Sequence, residues 1–389
     1  MDKGLLPKLS AIALNDIFGY EPKFSHRIID ALGSAEAVFM LPEKEKIRVF
    51  GPYSKYLPLI CDDSLEKAGE QYRRLTGEGC SVISIYDEGY PGLLRECEDA
   101  PMVLYVRSSS PAADIFNSRP AVSIVGTRDM SLYGREWCTR IVGAISQAPS
   151  KPMIVSGLAI GVDITAHLAA LDAGIPTVAV LPVGIDDIYP RRHGAIARRL
   201  ASTPGCALVT DYPPGTSAIA LNFLRRNRII AGISQATILI ESKIKGGGMM
   251  TARLASGYGR EVFALPGRID DLRSAGCNLL IRENIASPLS SLDGLGESLG
   301  IGSFGRKRTE DIDSEVVSRY AGILPDSEFG AIRAIAALIR KERGISFDEL
   351  CAATGTEYAC TARLAGILEN DGLISIDLLQ RCTINPKKY

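Results

Sequence analysis

The sequence predicts an α/β protein built on a mostly parallel, doubly wound sheet. Three observations carry that reading. Six short apolar runs recur between residues 121 and 264. Each is followed by a turn, most of them rich in glycine, and then by a stretch with helical spacing. The runs are mostly apolar along their length, as expected when helices cover both faces of a parallel sheet.

Taken in order, residues 1–75 read as helical. Leu9–Phe18, Phe24–Leu32 and Ala35–Phe39 have helical spacing, broken by Gly19, Pro22, Gly33 and Pro42. Cys80–Ile85 and Met102–Val106 are β-prone, with a Tyr90-Pro91-Gly92 turn between them. Strands are expected at Ala121–Val125, Met153–Ser156, Thr177–Leu181, Ala207–Thr210, Ala236–Ile240 and Glu261–Ala264, with helices such as Tyr133–Ser146 and Val162–Ala173 in the gaps. A polar, glycine-rich stretch from about 286 to 324 reads as a linker containing Gly305-Arg306-Lys307-Arg308. Beyond it, helices at Ala331–Lys341, Phe347–Thr354 and Glu357–Asn370 precede β runs Leu373–Ile376 and Gln380–Ile384. Three helices and a hairpin form the winged helix-turn-helix pattern. The expected domains are 1–75, 76–290 and 325–389, with a linker at 291–324.

Composition bounds the function. The 389 residues carry 46% hydrophobic and 23% charged side chains, ordinary for a folded chain of two or three domains. The sequence has no apolar run of 18 residues and no signal-like core after Met1, so a cytoplasmic protein without a membrane span is expected. Nine cysteines without a C-x-x-C pair read as reduced thiols, not a disulfide framework or zinc site. Net charge is −1, which alone argues against a nucleic-acid binder. Yet Ile185–Asp270 holds twelve Arg or Lys against six Asp or Glu, which suits one anion-binding face.

The candidate site lies in the turns. Gly126-Thr127-Arg128 follows the first strand of the parallel series. A bare glycine lets backbone approach a ligand, while Thr127 and Arg128 donate to phosphate. Ser156-Gly157 and Gly161 form a second turn. Asp163 reads as a helix cap with His167 one turn on. Both have a structural reading beside a catalytic one, and no nucleophile is partnered with them. Phe223, Arg225, Arg226, Asn227 and Arg228 combine an aromatic face for a base with guanidinium groups for phosphates. The alternative puts Phe223 in the core and an arginine in an internal ion pair. Lys243, Lys245, Gly246 and Gly247 precede a helix and read as an anion nest or as a mobile loop. Tyr189-Pro190-Arg191-Arg192 adds a basic turn. Asp186, Asp187 and Asp211 read as caps and turn residues before metal ligands. G-x-G-x-x-G and G-x-x-x-x-G-K-[ST] are absent, which removes weight from NAD and ATP. No cofactor, metal or catalytic residue is expected.

These residues resemble the DprA/Smf family, the DNA-processing proteins of bacterial natural transformation. The matching runs are Val125-Gly126-Thr127-Arg128, Ser156-Gly157-Leu158-Ala159-x-Gly161-Val162-Asp163-x-x-Ala166-His167 and Tyr189-Pro190. Phe223-x-x-Arg226-Asn227-Arg228-Ile229-Ile230-Ala231-Gly232, Glu241, Thr251-Ala252, Gly259–Gly267 and Asn278–Ile281 complete them, over about 110–290. The resemblance implies an extended Rossmann-like domain with a SAM or helix-hairpin-helix-like N-terminal block and a C-terminal winged helix. It implies a homodimer that binds single-stranded DNA, loads RecA recombinase and helps displace single-strand-binding protein, without catalysis. It assigns strand contacts to Arg128, Phe223, Arg226 and Arg228, with Gly157 and Gly161 shaping the pocket. On that reading Arg128→Ala and Arg226→Ala each weaken binding with little loss of folding. Ile160 and Ala220 stand where many relatives carry cations, and Arg225, Lys243 or Lys245 are the candidates to compensate. Two other readings are a phosphoribohydrolase-type enzyme using Glu241 and a duplex-binding regulator. The second is weakened because Glu357–Asn370 carries only Arg363 as a basic residue.

Overall fold

The computed structural model of the chain describes residues 4–19, 21–292, 294–301, 312–342, 344–377 and 380–384. They form two compact units, Met1–Phe304 and Gly305–Tyr389. The Gly305–Arg308 stretch lies outside the described residues.

The first unit opens with helices α1 (Leu6–Phe18), α2 (Pro22–Leu32), α3 (Ala35–Met40), α4 (Glu43–Phe50) and α5 (Asp62–Gly77). Strand β1 (Cys80–Ser84), helix α6 (Gly92–Arg95), β2 (Val103–Arg107) and α7 (Ala112–Phe116) follow. The regular alternation is then β3 (Ala121–Val125), α8 (Leu132–Ser146), β4 (Met153–Ser156), α9 (Val162–Asp172), β5 (Thr177–Val180), α10 (Gly194–Ser202) and β6 (Ala207–Thr210). It continues through α11 (Ala220–Ile233), β7 (Ala236–Leu239), α12 (Gly247–Gly257), β8 (Glu261–Ala264), α13 (Ala275–Arg282), β9 (Ser287–Pro288) and α14 (Leu295–Ser298).

The nine strands form one sheet in the order β1-β2-β6-β5-β4-β3-β7-β8-β9. β1–β2 and β2–β6 pair antiparallel, and every other pair is parallel. The chain runs outward from β3 to β6, then returns to the other side of β3 with β7. The order in which strands are added therefore reverses between the parallel neighbours β3 and β7, and a doubly wound sheet opens its ligand crevice at the carboxyl ends of such a pair. The register Val125↔Leu239 places Gly126 and Ile240-Glu241 there.

The helical block is not held apart from the sheet. Leu9, Ile12, Leu14 and Phe18 of α1 share one apolar core with Val82, Tyr105, Leu181 and Leu208. Asn15 donates to the Asp211 carbonyl at 2.7 Å, joining α1 to the end of β6.

The second unit contains α15 (Ile312–Tyr320), α16 (Asp326–Lys341), β10 (Ile345–Ser346), α17 (Phe347–Thr354), α18 (Tyr358–Asn370), β11 (Ile374–Ile376) and β12 (Arg381–Ile384). Its strands are antiparallel in the order β10-β12-β11. Helix α15 occupies a stretch the sequence reads as linker, because Val316 and Tyr320 are drawn into the core with Ile332, Ile335 and Leu368. Among the described residues no helix is long and apolar enough to cross a membrane.

Candidate nucleic-acid interface

The crevice between β3 and β7 is a cleft of about 750 Å³ walled by the β3–α8 loop, α11 and the start of α12. Missing side chains make it possible. A Cβ on Gly126 would lie 2.6 Å from Val162 and 2.9 Å from the Glu241 carbonyl, and one on Gly248 would lie 3.2 Å from the Gly126 Cα. Gly161 has φ +87°, and a Cβ there would meet the Thr127 carbonyl at 2.3 Å. Only glycine allows these segments to approach so closely.

One side of the cleft is built to attract anions. Helix α12 starts at Gly247, and its N-cap, Gly246, has no side chain to satisfy the first-turn N–H groups. Gly246, Gly247 and Gly248 all line the cleft, so these donors and the positive end of the helix face it. Lys243 and Lys245 line the same wall and are exposed.

Another part of the lining is aromatic. Arg128 is exposed and holds its guanidinium 4.9 Å from the Phe223 ring centroid. The Phe223 ring meets Tyr189 edge to face at 5.2 Å and 77°. In sequence Tyr189 reads as part of a basic turn and of the Tyr189-Pro190 match, with no sign of an aromatic partner. Its pairing with Phe223 joins positions 34 apart in sequence, and no local pattern announces it.

The arginines of α11 divide. The sequence presents residues 223–228 as one cluster, but they lie within a helix, where successive positions turn by about 100°. Phe223 faces the cleft, while Arg225 lines a separate hollow toward α2. Arg226 and Arg228 are 3% and 7% exposed. Arg226 Nη1 donates to the carbonyls of Gly157, at 2.8 Å, and Val180. Burial pulls its pKa down to about 10, against the opposing pull of Asp163. Asp163 is also buried. Desolvation raises its pKa, and Arg226 is the chief group holding it down. Arg228 donates to the Asp99 carbonyl and pairs with Asp211, whose pKa burial raises and Arg228 opposes. The expectation that Arg226→Ala leaves folding intact is thus corrected: its charge supports the cleft floor from inside.

Other expected site residues are also structural ties. Ser156 Oγ donates to the Ile124 carbonyl at 2.6 Å, joining β4 to β3. Asn227 Nδ2 reaches the Gly247 carbonyl at 3.5 Å. Gly157 is glycine because a Cβ would sit 2.5 Å from the Arg226 guanidinium. Gly126, Thr127, Arg128, Phe223, Arg226, Asn227, Lys243, Lys245, Gly246 and Gly247 line the cleft together. Ala220 lines it too, leaving no cation at that position, and Ile160 is a partly exposed apolar side chain.

Glu241 does not face the cleft as a free carboxylate. It is fully buried, and its oxygens accept from the Ser131 amide at 2.9 Å and from the Ser131 hydroxyl at the start of α8. His167 is buried and bonded to Thr177 Oγ1 at 2.7 Å, and burial pushes its pKa down to about 3. Asp186 accepts from the Gly215 amide at 3.0 Å. Among the described residues no group of three His, Cys, Asp or Glu side chains could hold a metal.

Residues 81–300 match the family model for DNA recombination-mediator protein A. The chain belongs to that family. DNA processing protein DprA of Streptococcus pneumoniae is 36% identical over 215 residues, covering 55% of this chain and 73% of the relative. Protein Smf of Escherichia coli is 39% identical over 202 residues, covering 52% of this chain and 52% of the relative. The match thus spans about half the Smf length. Among solved structures, S. pneumoniae DprA has a TM-score of 0.62 at 28% identity, covering 72% of this chain and 95% of that one. DNA processing protein A of Helicobacter pylori, studied for its single-stranded DNA binding mode, has a TM-score of 0.50 at 26% identity, covering 57% and 95%. The DprA/Smf resemblance and the mostly parallel sheet are therefore both established.

Proposed function

We propose that this chain binds single-stranded DNA in the β3/β7 cleft, protects it, and loads RecA recombinase on it during natural transformation. The observation that carries the reading is the cleft's pairing of unlike walls. The start of α12 with Lys243 and Lys245 suits phosphates, while Arg128 over Phe223, flanked by Tyr189, suits a base face. Bases offer their faces to aromatic and guanidinium planes only when unpaired, so single strands are preferred over duplex and sequence preference is weak. The work is binding, not catalysis. Glu241, the carboxylate on which a nucleotide hydrolase would depend, is committed to the start of α8.

The same reading makes the protein a cytoplasmic homodimer joined through the Rossmann-like domain, aiding displacement of single-strand-binding protein. The terminal unit is read as a winged helix serving protein contacts or structure. Its recognition-position helix α18 carries Arg363 alone, already paired with Glu328 at 2.6 Å. A titration of labelled single-stranded and duplex oligonucleotides against the full chain tests the central claim. Tighter single-strand binding supports it, and equal or stronger duplex binding refutes it. RecA filament growth on strands coated with single-strand-binding protein, with and without this chain, tests the loading step.

A further inference from the structure

The cleft does not end at the glycine turn. Leu224 and Lys245 line it and also line a shallower groove of about 510 Å³ over Met250 and Leu254 on α12. Leu224, Met250 and Leu254 in turn line a hollow of about 410 Å³ whose far wall is α2. The three depressions share lining residues and so adjoin one another in a row from Arg128 to the helical block.

The far end of that row holds more cations than carboxylates. Lys23 and Arg27 of α2 face it with Arg225 and Arg228 of α11, against Glu21 and Asp99. Glu21 accepts from Tyr56 Oη at 2.8 Å and Asp99 from Tyr258 Oη at 2.7 Å, and both keep their negative charge. Lys23 is paired with Glu98, and Arg228 with Asp211. Arg27 is exposed, and its Nε reaches only the Lys23 carbonyl, at 3.4 Å. The floor between is apolar and open, with Leu224 41% and Met250 39% exposed. Apolar floor and cationic flank together fit an unpaired strand, which rests its bases on the one and its phosphates on the other.

We propose that α2 is the far end of the single-strand path. A polynucleotide leaving the cleft crosses Leu224 and Met250 and sets a phosphate on Arg27. The occupant is the same strand because the groove adjoins the cleft and, like it, holds more cations than carboxylates. This rests on the cleft being the single-strand site. It gives the helical block, whose packing against the sheet fixes α2 beside α11, a direct part in binding.

The test uses the full chain, Arg27→Glu and Arg128→Ala, with labelled oligo-dT of about 5 and about 20 nucleotides, lengths bracketing common single-strand site sizes. Arg27→Glu is expected to bind the long strand about fivefold more weakly, to leave the short strand unchanged, and to melt with wild-type. It is expected to flatten the log-affinity against log-salt slope for the long strand by about 0.7, one phosphate contact. Unchanged long-strand binding overturns the proposal, as does equal weakening on both lengths. Arg128→Ala separates the two claims. If it leaves both lengths unchanged, the cleft reading itself fails; if it weakens both while Arg27→Glu weakens neither, only the extension fails.

Discussion

Arg226→Ala separates folding from binding. The substitution removes a guanidinium that is 3% exposed, along with its bonds to the Gly157 and Val180 carbonyls. It also leaves Asp163 buried without its principal counter-charge. Leaving a buried carboxylate without its nearby counter-charge costs about 3–5 kcal/mol, a large part of a total stability of about 5–15 kcal/mol. With a urea slope of about 3 kcal/mol per molar, the unfolding midpoint falls by about 1–2 M. The loss has a pH signature. Burial already raises the Asp163 pKa, and without Arg226 the carboxyl takes a proton more readily still. The variant's deficit is therefore smaller at pH 5 than at pH 8. Arg128→Ala provides the contrast. Its side chain is exposed and loses only the contact with Phe223, about 0.5–1 kcal/mol, so its midpoint stays within about 0.3 M of wild type. Its single-strand affinity falls by about 1–3 kcal/mol, the value of a stacking contact. Urea titrations by circular dichroism and anisotropy titrations with oligo-dT give both readouts. A wild-type midpoint for Arg226→Ala combined with lost DNA binding would refute the reasoning and restore Arg226 as a strand ligand.

Acid should destabilise the fold through His167. Its folded pKa is depressed from 6.5 to about 3, chiefly by burial. The unfolded chain therefore takes the proton first, and the stability present above pH 6.5 is lost as pH falls toward 3. The loss is about 2 kcal/mol by pH 5, visible in urea midpoints; a His167→Gln variant with the same acid limb as wild type would contradict it. Gly161→Ala forces a side chain onto φ +87° and onto the Thr127 carbonyl. It should lower stability by more than about 1 kcal/mol and weaken strand binding by displacing the Arg128 loop, and a wild-type melting profile would count against it. Lys243→Ala should reduce the salt dependence of single-strand binding by about 0.7 in slope, with folding unchanged. An identical slope would remove Lys243 from the phosphate wall.

The order of elements could be read from residues alone because it is written in short-range signals. Mostly apolar four- and five-residue runs, each ended by a turn residue, mark β3 to β8 within a residue of where they lie, whereas the two-residue parallel strand β9 falls in a stretch read as linker. Gly126, Gly161 and Gly246 stand out because no other residue suits a backbone that must approach another so closely. The charges were harder to place. Arg225, Arg226 and Arg228 look alike in sequence. The helical turn sends Arg225 toward α2 and buries the other two, Arg226 near Asp163 at the start of α9 and Arg228 paired with Asp211 just after β6. The same holds for Tyr189 beside Phe223, for Glu241 at the start of α8, and for α2 at the end of the groove. Local chemistry determined that this chain forms a parallel sheet with open glycine turns. Which cations face a ligand was decided only by packing, because a guanidinium binds whichever anion or carbonyl the fold sets beside it.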